Sequence, residues 1–222
     1  PSATDYRAET IYYSSFSIDF DGSVAPIDAS AETGKPVVLK GVTLTPALTG
    51  TWAWRGDRSL AFTPAVDWPI GTEFNVVIEP KLVYAPHVVV DKAKFEFSTA
   101  KFEFSLASEY NQDPTNELLK QAIYTLNFSH PVEPKSLESR LSLLASADNA
   151  KFPEAKLAAD EPLHKTQFSV RYDEKNLIAY VTTDALKLPD AGSNLTLNVA
   201  EGVQSSLVSR IDEDRDAIAG AT

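Results

Sequence analysis

The chain has 222 residues, 43% of them hydrophobic and 23% charged, with a net charge of −11, a globular composition too apolar for wholesale disorder. That charge disfavours nucleic acid, whose phosphates it repels, and docking on an anionic membrane surface. There is no cysteine, so disulfides, thiolate metal sites and a cysteine nucleophile are excluded, and no apolar run reaches the ~20 residues that span a bilayer.

In chain order, strand signals dominate. Tyr12, Ser14, Phe16, Ile18 and Phe20 alternate with their neighbours. Short apolar runs follow at residues 37–44, 51–54, 59–62 and 74–78, separated by Pro, Gly and Asp. Residues 88–90 and 95–98 close a first block, and 101–107 opens a second. The second block continues with strands at 119–128, 141–145, 168–172, 177–182 and 195–199. Residues 117–123 include good helix formers, but strand is the better reading from Ala122. Residues 136–144 are the one candidate helix, with Ser136 as cap and Leu137, Leu141 and Leu144 on one face. Residues 151–165, polar and proline-containing, read as a loop. Fourteen prolines against nine glycines suit a fold whose edges and turns carry proline.

The two blocks repeat one another. Phe16-Ser17-Ile18-Asp19-Phe20 leads into Val24-Ala25-Pro26, and Tyr124-Thr125-Leu126-Asn127-Phe128 leads into Val132-Glu133-Pro134, 108 positions later (124 − 16). Gly71-Thr72-Glu73-Phe74-Asn75-Val76-Val77-Ile78 returns as Gly192-Ser193-Asn194-Leu195-Thr196-Leu197-Asn198-Val199. The same signals in the same order predict two tandem domains of one fold. The doublet Lys94-Phe95-Glu96-Phe97-Ser98 and Lys101-Phe102-Glu103-Phe104-Ser105 places the boundary at Thr99-Ala100. The expected architecture is all-β, two antiparallel sandwiches over residues 1–99 and 100–222. Each block looks incomplete: the first has only residues 1–8 where the second has a strand, and the second ends in an acidic tail. With no methionine and Pro1 first, the chain reads as a processed product or an excised piece, without a visible signal peptide.

The segment with the densest chemistry is Thr51-Trp52-Ala53-Trp54-Arg55-Gly56-Asp57-Arg58-Ser59-Leu60-Ala61-Phe62-Thr63-Pro64, followed by Trp68-Pro69-Ile70-Gly71-Thr72-Glu73-Phe74. Trp52 and Trp54 are two apart and share a strand face, and Gly56-Asp57 makes a hairpin turn. Trp52, Trp54 and Trp68 are the candidate interface residues. Exposed and coplanar, they form a platform for a sugar or a partner chain; buried, they are core, the usual place of tryptophan.

The pattern Trp-x-Trp, Asp-x-x-Leu-x-Phe-x-Pro and Trp-Pro-x-Gly-Thr-x-Phe resembles the N-terminal macroglobulin-like, Ig-like domains of bacterial α2-macroglobulins. The exit Phe128-Ser129-His130-Pro131-Val132-Glu133-Pro134 is similar to one in those domains. The resemblance covers both blocks. It implies a very large periplasmic protease-trapping protein, with a cleavable bait region and in many members a Cys-x-Glu-Gln thioester. Neither device is in this chain, and no residue here matches a functional motif of the family. The expected role is therefore that of a non-catalytic structural and interaction module, not an enzyme. Its partners are the other domains of the same large chain and, through them, target proteases; no nucleic acid and no direct membrane insertion are expected. The alternative is an Ig-like carbohydrate- or ligand-binding module of a bacterial surface protein.

The other motifs carry less. Arg55-Gly56-Asp57 spells an integrin tripeptide, but Gly-Asp suffices to make the turn. Asn127-Phe128-Ser129 and Asn194-Leu195-Thr196 match a glycosylation acceptor yet lie in predicted strands. Asp212-x-Asp214-x-Asp216 copies half a calcium loop without its glycine and distal glutamate. His87, His130 and His164 lack ligand spacing. No cofactor, metal or catalytic residue is expected.

Overall fold

The computed structural model describes residues 1–86, 88–112, 114–116, 119–147, 161–163, 167–187, 193–207 and 217–218. The chain divides into two compact units, the first running over Pro1–Lys101 and the second beginning at Phe102. The elements are strands and short helices, and every recorded ladder is antiparallel.

In the first unit, β1 (Phe16–Asp19), α1 (Ile27–Ala31), β2 (Pro36–Val37) and β3 (Val42–Thr45) precede a hairpin of β4 (Gly50–Trp54) and β5 (Ser59–Pro64). β6 (Glu73–Ile78), α2 (Pro80–Val83) and β7 (Lys94–Ser98) complete it. One sheet has the order β1-β5-β4-β2 and the other β3-β6-β7. Alternation explains the sandwich: Phe74, Val76 and Ile78 of β6 are buried while Glu73, Asn75 and Val77 are exposed. Val76 and Ile78 share a core with Ile18, Trp54 and Leu60 of the opposite sheet.

The second unit begins with β8 (Phe104–Gln112), β9 (Leu119–Phe128), α3 (Pro134–Glu138) and β10 (Leu141–Ala147). β11 (Glu161–Leu163), β12 (Phe168–Tyr172), β13 (Ile178–Thr183), β14 (Leu186–Lys187) and β15 (Ser193–Val199) follow, then β16 (Val203–Gln204) and β17 (Ala217–Ile218). β9 is central to the larger sheet, flanked by β8 on one side and by β13 and β14 on the other, with β12 beyond β13. β11-β10-β15 forms a second sheet. The Tyr124 hydroxyl on β9 donates to the Leu195 carbonyl on β15 at 2.6 Å and ties the two sheets. Leu126, Phe128, Leu143, Val181 and Leu197 fill the space between them.

The sequence repeat is a repeat of hydrogen bonds. In the first unit the Phe20 and Val24 amides donate to the carbonyls of Arg58 and Asp57, at 2.9 and 2.8 Å. In the second, the Phe128 and Val132 amides donate to Leu177 and Asn176, both at 2.8 Å. Each donor lies 108 positions beyond its counterpart (128 − 20, 132 − 24), and the acceptors are the corresponding turn residues of the β4–β5 and β12–β13 hairpins. Both turns need a left-handed residue, Gly56 (φ +90°) in one and Asn176 (φ +55°) in the other. The x-Val-x-Pro exit thus pins each strand end to a hairpin turn and buries its valine, Val24 or Val132.

Several predicted elements differ. β1 starts at Phe16, with Tyr12 exposed; continuing its register would set Ser14 opposite Pro64, which has no amide to donate. Residues 37–44 form two strands rather than one, parted by Gly41 at φ +94°. Residues 88–90 are not a strand. Strand β9 runs over Leu119–Phe128, the span read from the sequence; its first residues, helix formers by type, are strand because β8 and β14 pair with them. The predicted helix over residues 136–144 is α3 over Pro134–Glu138 followed by strand β10. Pro134 is set for a first helical turn, and the Glu133 carboxylate caps it by accepting from the Ser136 amide. From Leu141 the ladder with β15 wins, burying Leu141 and Leu143 on a period of two. Within the predicted loop 151–165, residues 161–163 are strand β11 on β10; the rest of that loop lies outside the described residues.

Candidate functional site

The β4–β5 hairpin places the tryptophans. Trp52 stands opposite Phe62 and Trp54 opposite Leu60. Trp54 is 1% exposed and packs in the core with Ile18, Val76 and Tyr84. Trp68 is 7% exposed: its ring meets Phe62, Phe74 and Phe97 at 5.8, 5.2 and 5.3 Å, and its indole N–H donates to the Ser14 carbonyl at 2.8 Å. Trp52 is half-buried, 5.1 Å from the Phe62 ring at a tilt of 53°. The structure therefore gathers Trp52 and Trp68 around Phe62 and sets Trp54 in the neighbouring core. Neither Trp54 nor Trp68 offers a ring face to a sugar, and no coplanar pair is formed among them.

Asp67 is a residue that sequence reasoning missed. Its Oδ1 accepts from the Thr4 hydroxyl at 2.8 Å and from the Trp68 amide at 2.9 Å, and its Oδ2 accepts from the Tyr6 hydroxyl. Burial first, then the bond to the Asp67 carboxylate, pushes the Tyr6 phenol far up. This knot fastens the first residues of the chain beside Trp68. Only the Asp-Trp-Pro punctuation hinted at it, since the partners lie more than 60 positions away.

The remaining motifs have structural work. Arg55 donates to the Ser15 hydroxyl at 2.9 Å, and the Asp57 carbonyl accepts from the Val24 and Ala25 amides, so the Arg-Gly-Asp tripeptide is turn and clasp. Asn127 and Asn194 lie within β9 and β15. His130 is 5% exposed, with Nδ1 2.9 Å from the Ser129 hydroxyl and its ring edge-on to Phe102. His87, His164 and the acidic run 212–216 lie outside the described residues. Among the described residues no cluster of three His, Cys, Asp or Glu is arranged to hold a metal, and no helix is long and apolar enough to cross a membrane.

A cleft lies at the end of β1. It encloses about 430 Å³ between the exit Asp19-Phe20-Asp21-Gly22 and residues 88–92. Phe20, Val88, Val90 and Phe95 make it apolar, and Asp19, Asp21 and Asp91 against Lys92 make its rim acidic. Lys92 is held over the Phe95 ring at 5.3 Å.

No protein-family model matches the chain, and no solved structure matches it. Three curated bacterial proteins do. It is 32% identical over 208 residues, 93% of its length, to the α2-macroglobulin homolog of Yersinia pestis. It is 33% identical over 175 residues, 77% of its length, to the α2-macroglobulin of Pasteurella multocida, and 21% identical over 165 residues to that of Rickettsia conorii. The chain spans about a tenth of the length of these relatives: 10%, 9% and 8%. With two all-β units repeating one hydrogen-bond pattern, these likenesses identify the chain as an α2-macroglobulin-like segment of the bacterial kind.

Proposed function

We propose that the chain is a non-catalytic structural and interaction module of a larger α2-macroglobulin-like protein, one that works in the bacterial periplasm and traps proteases as a whole. The observation that carries this reading is the match to α2-macroglobulins along 93% of the chain, which is yet only 10% of the relative's length. A segment of that kind contributes surface and rigidity. The structure supports it physically: the rings of Trp54, Phe62, Trp68 and Phe74 are spent on packing. The burial of Trp54 and Trp68 weighs against the carbohydrate alternative, which would then rest on the half-buried Trp52.

The test is to incubate the purified chain with trypsin, chymotrypsin and elastase and to follow residual activity on a small peptide and on a large protein substrate. Unchanged activity on both is expected, because a trap needs a body that closes around the enzyme. Loss on the large substrate alone, the mark of steric enclosure, would show that this segment traps by itself.

A further inference from the structure

The two units differ at one edge. In the second unit, β8 pairs with β9 over nine residues, from Phe104 opposite Phe128 to Gln112 opposite Lys120. In the first unit β1, the counterpart of β9, pairs only with β5 among the described residues. In an antiparallel ladder, backbone groups alternate between the two neighbours. The Phe20 amide donates to Arg58, so Phe16, Ile18 and Phe20 face β5, and the amides and carbonyls of Ser17 and Asp19 face outward. Both residues are exposed. Their counterparts Thr125 and Asn127, 108 positions on, face β8 opposite Ala107 and Ser105.

The cleft continues that edge. In the second unit the ladder runs on past β8, the Ser129 amide donating to the Glu103 carbonyl at 2.9 Å. Phe102, one residue further, is 4% exposed and packs 5.9 Å from the Phe128 ring and 6.1 Å from His130. The corresponding place in the first unit lies beside Phe20 and Gly22. There a Cβ on Gly22 would meet nothing within 4 Å, and the 430 Å³ cleft stands open. Val89 beside it is 90% exposed.

The geometry points to a peptide-docking site: the β1 edge takes an extended strand antiparallel to β1, with an aromatic side chain seated in the cleft opposite Gly22 and a basic residue just before it. The internal repeat supplies the occupant's chemistry, for Lys101-Phe102-Glu103-Phe104-Ser105-Leu106-Ala107, the stretch leading into β8, fills this place in the second unit. The acidic rim of Asp19, Asp21 and Asp91 selects the basic flank. Main-chain hydrogen bonds to Ser17 and Asp19 give the pairing, and the aromatic pocket fixes its register. The inference is independent of protease trapping.

The probe is the blocked heptapeptide Lys-Phe-Glu-Phe-Ser-Leu-Ala, titrated into the isotopically labelled 222-residue chain with amide hydrogen exchange as readout. At saturation, exchange at Ser17 and Asp19 slows by about tenfold or more. A peptide with its first Phe replaced by Ala binds about tenfold more weakly. Asp19→Pro, which removes one outward amide at an edge that tolerates proline, abolishes the protection. Tryptophan fluorescence reports whether that variant is folded; if it is not, the two peptides on the unmodified chain decide. Unaltered exchange at Ser17 and Asp19 in millimolar peptide, or equal binding of both peptides, overturns the proposal. So does protection that grows with protein concentration alone, which would assign the edge to a second copy.

Discussion

Single side chains in the first unit show how tightly the aromatic residues are committed. Trp54, 1% exposed among Ile18, Leu60 and Val76, has no solvated face. Trp54→Ala should lower unfolding free energy by about 3–5 kcal/mol in a denaturant titration, since it removes a large buried ring that the surrounding sheets cannot close over. Tyr84 is different. It is 5% exposed and packs edge-on to Phe20 at 5.4 Å, but among the described residues its hydroxyl has no hydrogen-bond partner. Tyr84→Phe should therefore be neutral or stabilising by up to ~1 kcal/mol at neutral pH. Burial also pushes the Tyr84 phenol from 10.0 up to about 12, and burial followed by the charge of Tyr110 does the same for Tyr124. A phenol whose folded pKa is raised keeps its proton when the unfolded chain has lost it. Its stabilisation is complete below pH 10 and falls away as pH rises to about 12. Denaturation midpoints measured across that window should decline for the native chain and decline less steeply for Tyr84→Phe.

At the scale of elements, the β4–β5 hairpin organises the first unit: it carries Trp52 and Trp54, pairs β1 and β2, and offers its turn carbonyls to the exit of β1. Its weak point is Gly50, opposite Pro64. A Cβ there would lie 2.3 Å from the Phe62 ring and 2.5 Å from the Thr63 carbonyl oxygen. The ring is wedged against Trp52 and Trp68 and the carbonyl is backbone, so neither yields cheaply. Gly50→Ala should cost about 1–3 kcal/mol, read as a lowered denaturation midpoint with the β-type circular dichroism retained. The sequence showed this hairpin through Gly56-Asp57 between alternating runs, but not the role of Gly50, whose constraint comes from a ring twelve positions away.

At the scale of the molecule, the repeat of backbone hydrogen bonds argues that each unit carries its own fold-defining clasp. We predict that residues 101–222, expressed alone, fold with β-type circular dichroism and dispersed amide resonances. A disordered fragment beside a cooperative whole chain would show that the division near Thr99-Ala100 is misplaced. Thr99 gives the first unit a defined end: its hydroxyl accepts from the Thr72 amide at 2.8 Å and its amide donates to the Thr72 carbonyl at 2.9 Å, closing β7 onto the start of β6.

The sequence by itself determined the strand-rich class, the order of most strands, the twofold repeat and the family likeness. All of these rest on local alternation, turn residues and motif spacing, which the chain carries within short windows. Tertiary structure decided the rest. It turned residues 141–144 from helix face into strand, because pairing with β15 buries Leu141 and Leu143 more fully than a helix end can. It assigned Trp54 and Trp68 to the core, a choice that depends on what faces them and not on their own spacing. It joined Asp67 to Thr4 and Tyr6 across more than 60 residues. Among the described residues it also left the β1 edge open where β9 is covered, a difference that only pairing partners, and no local pattern, can write.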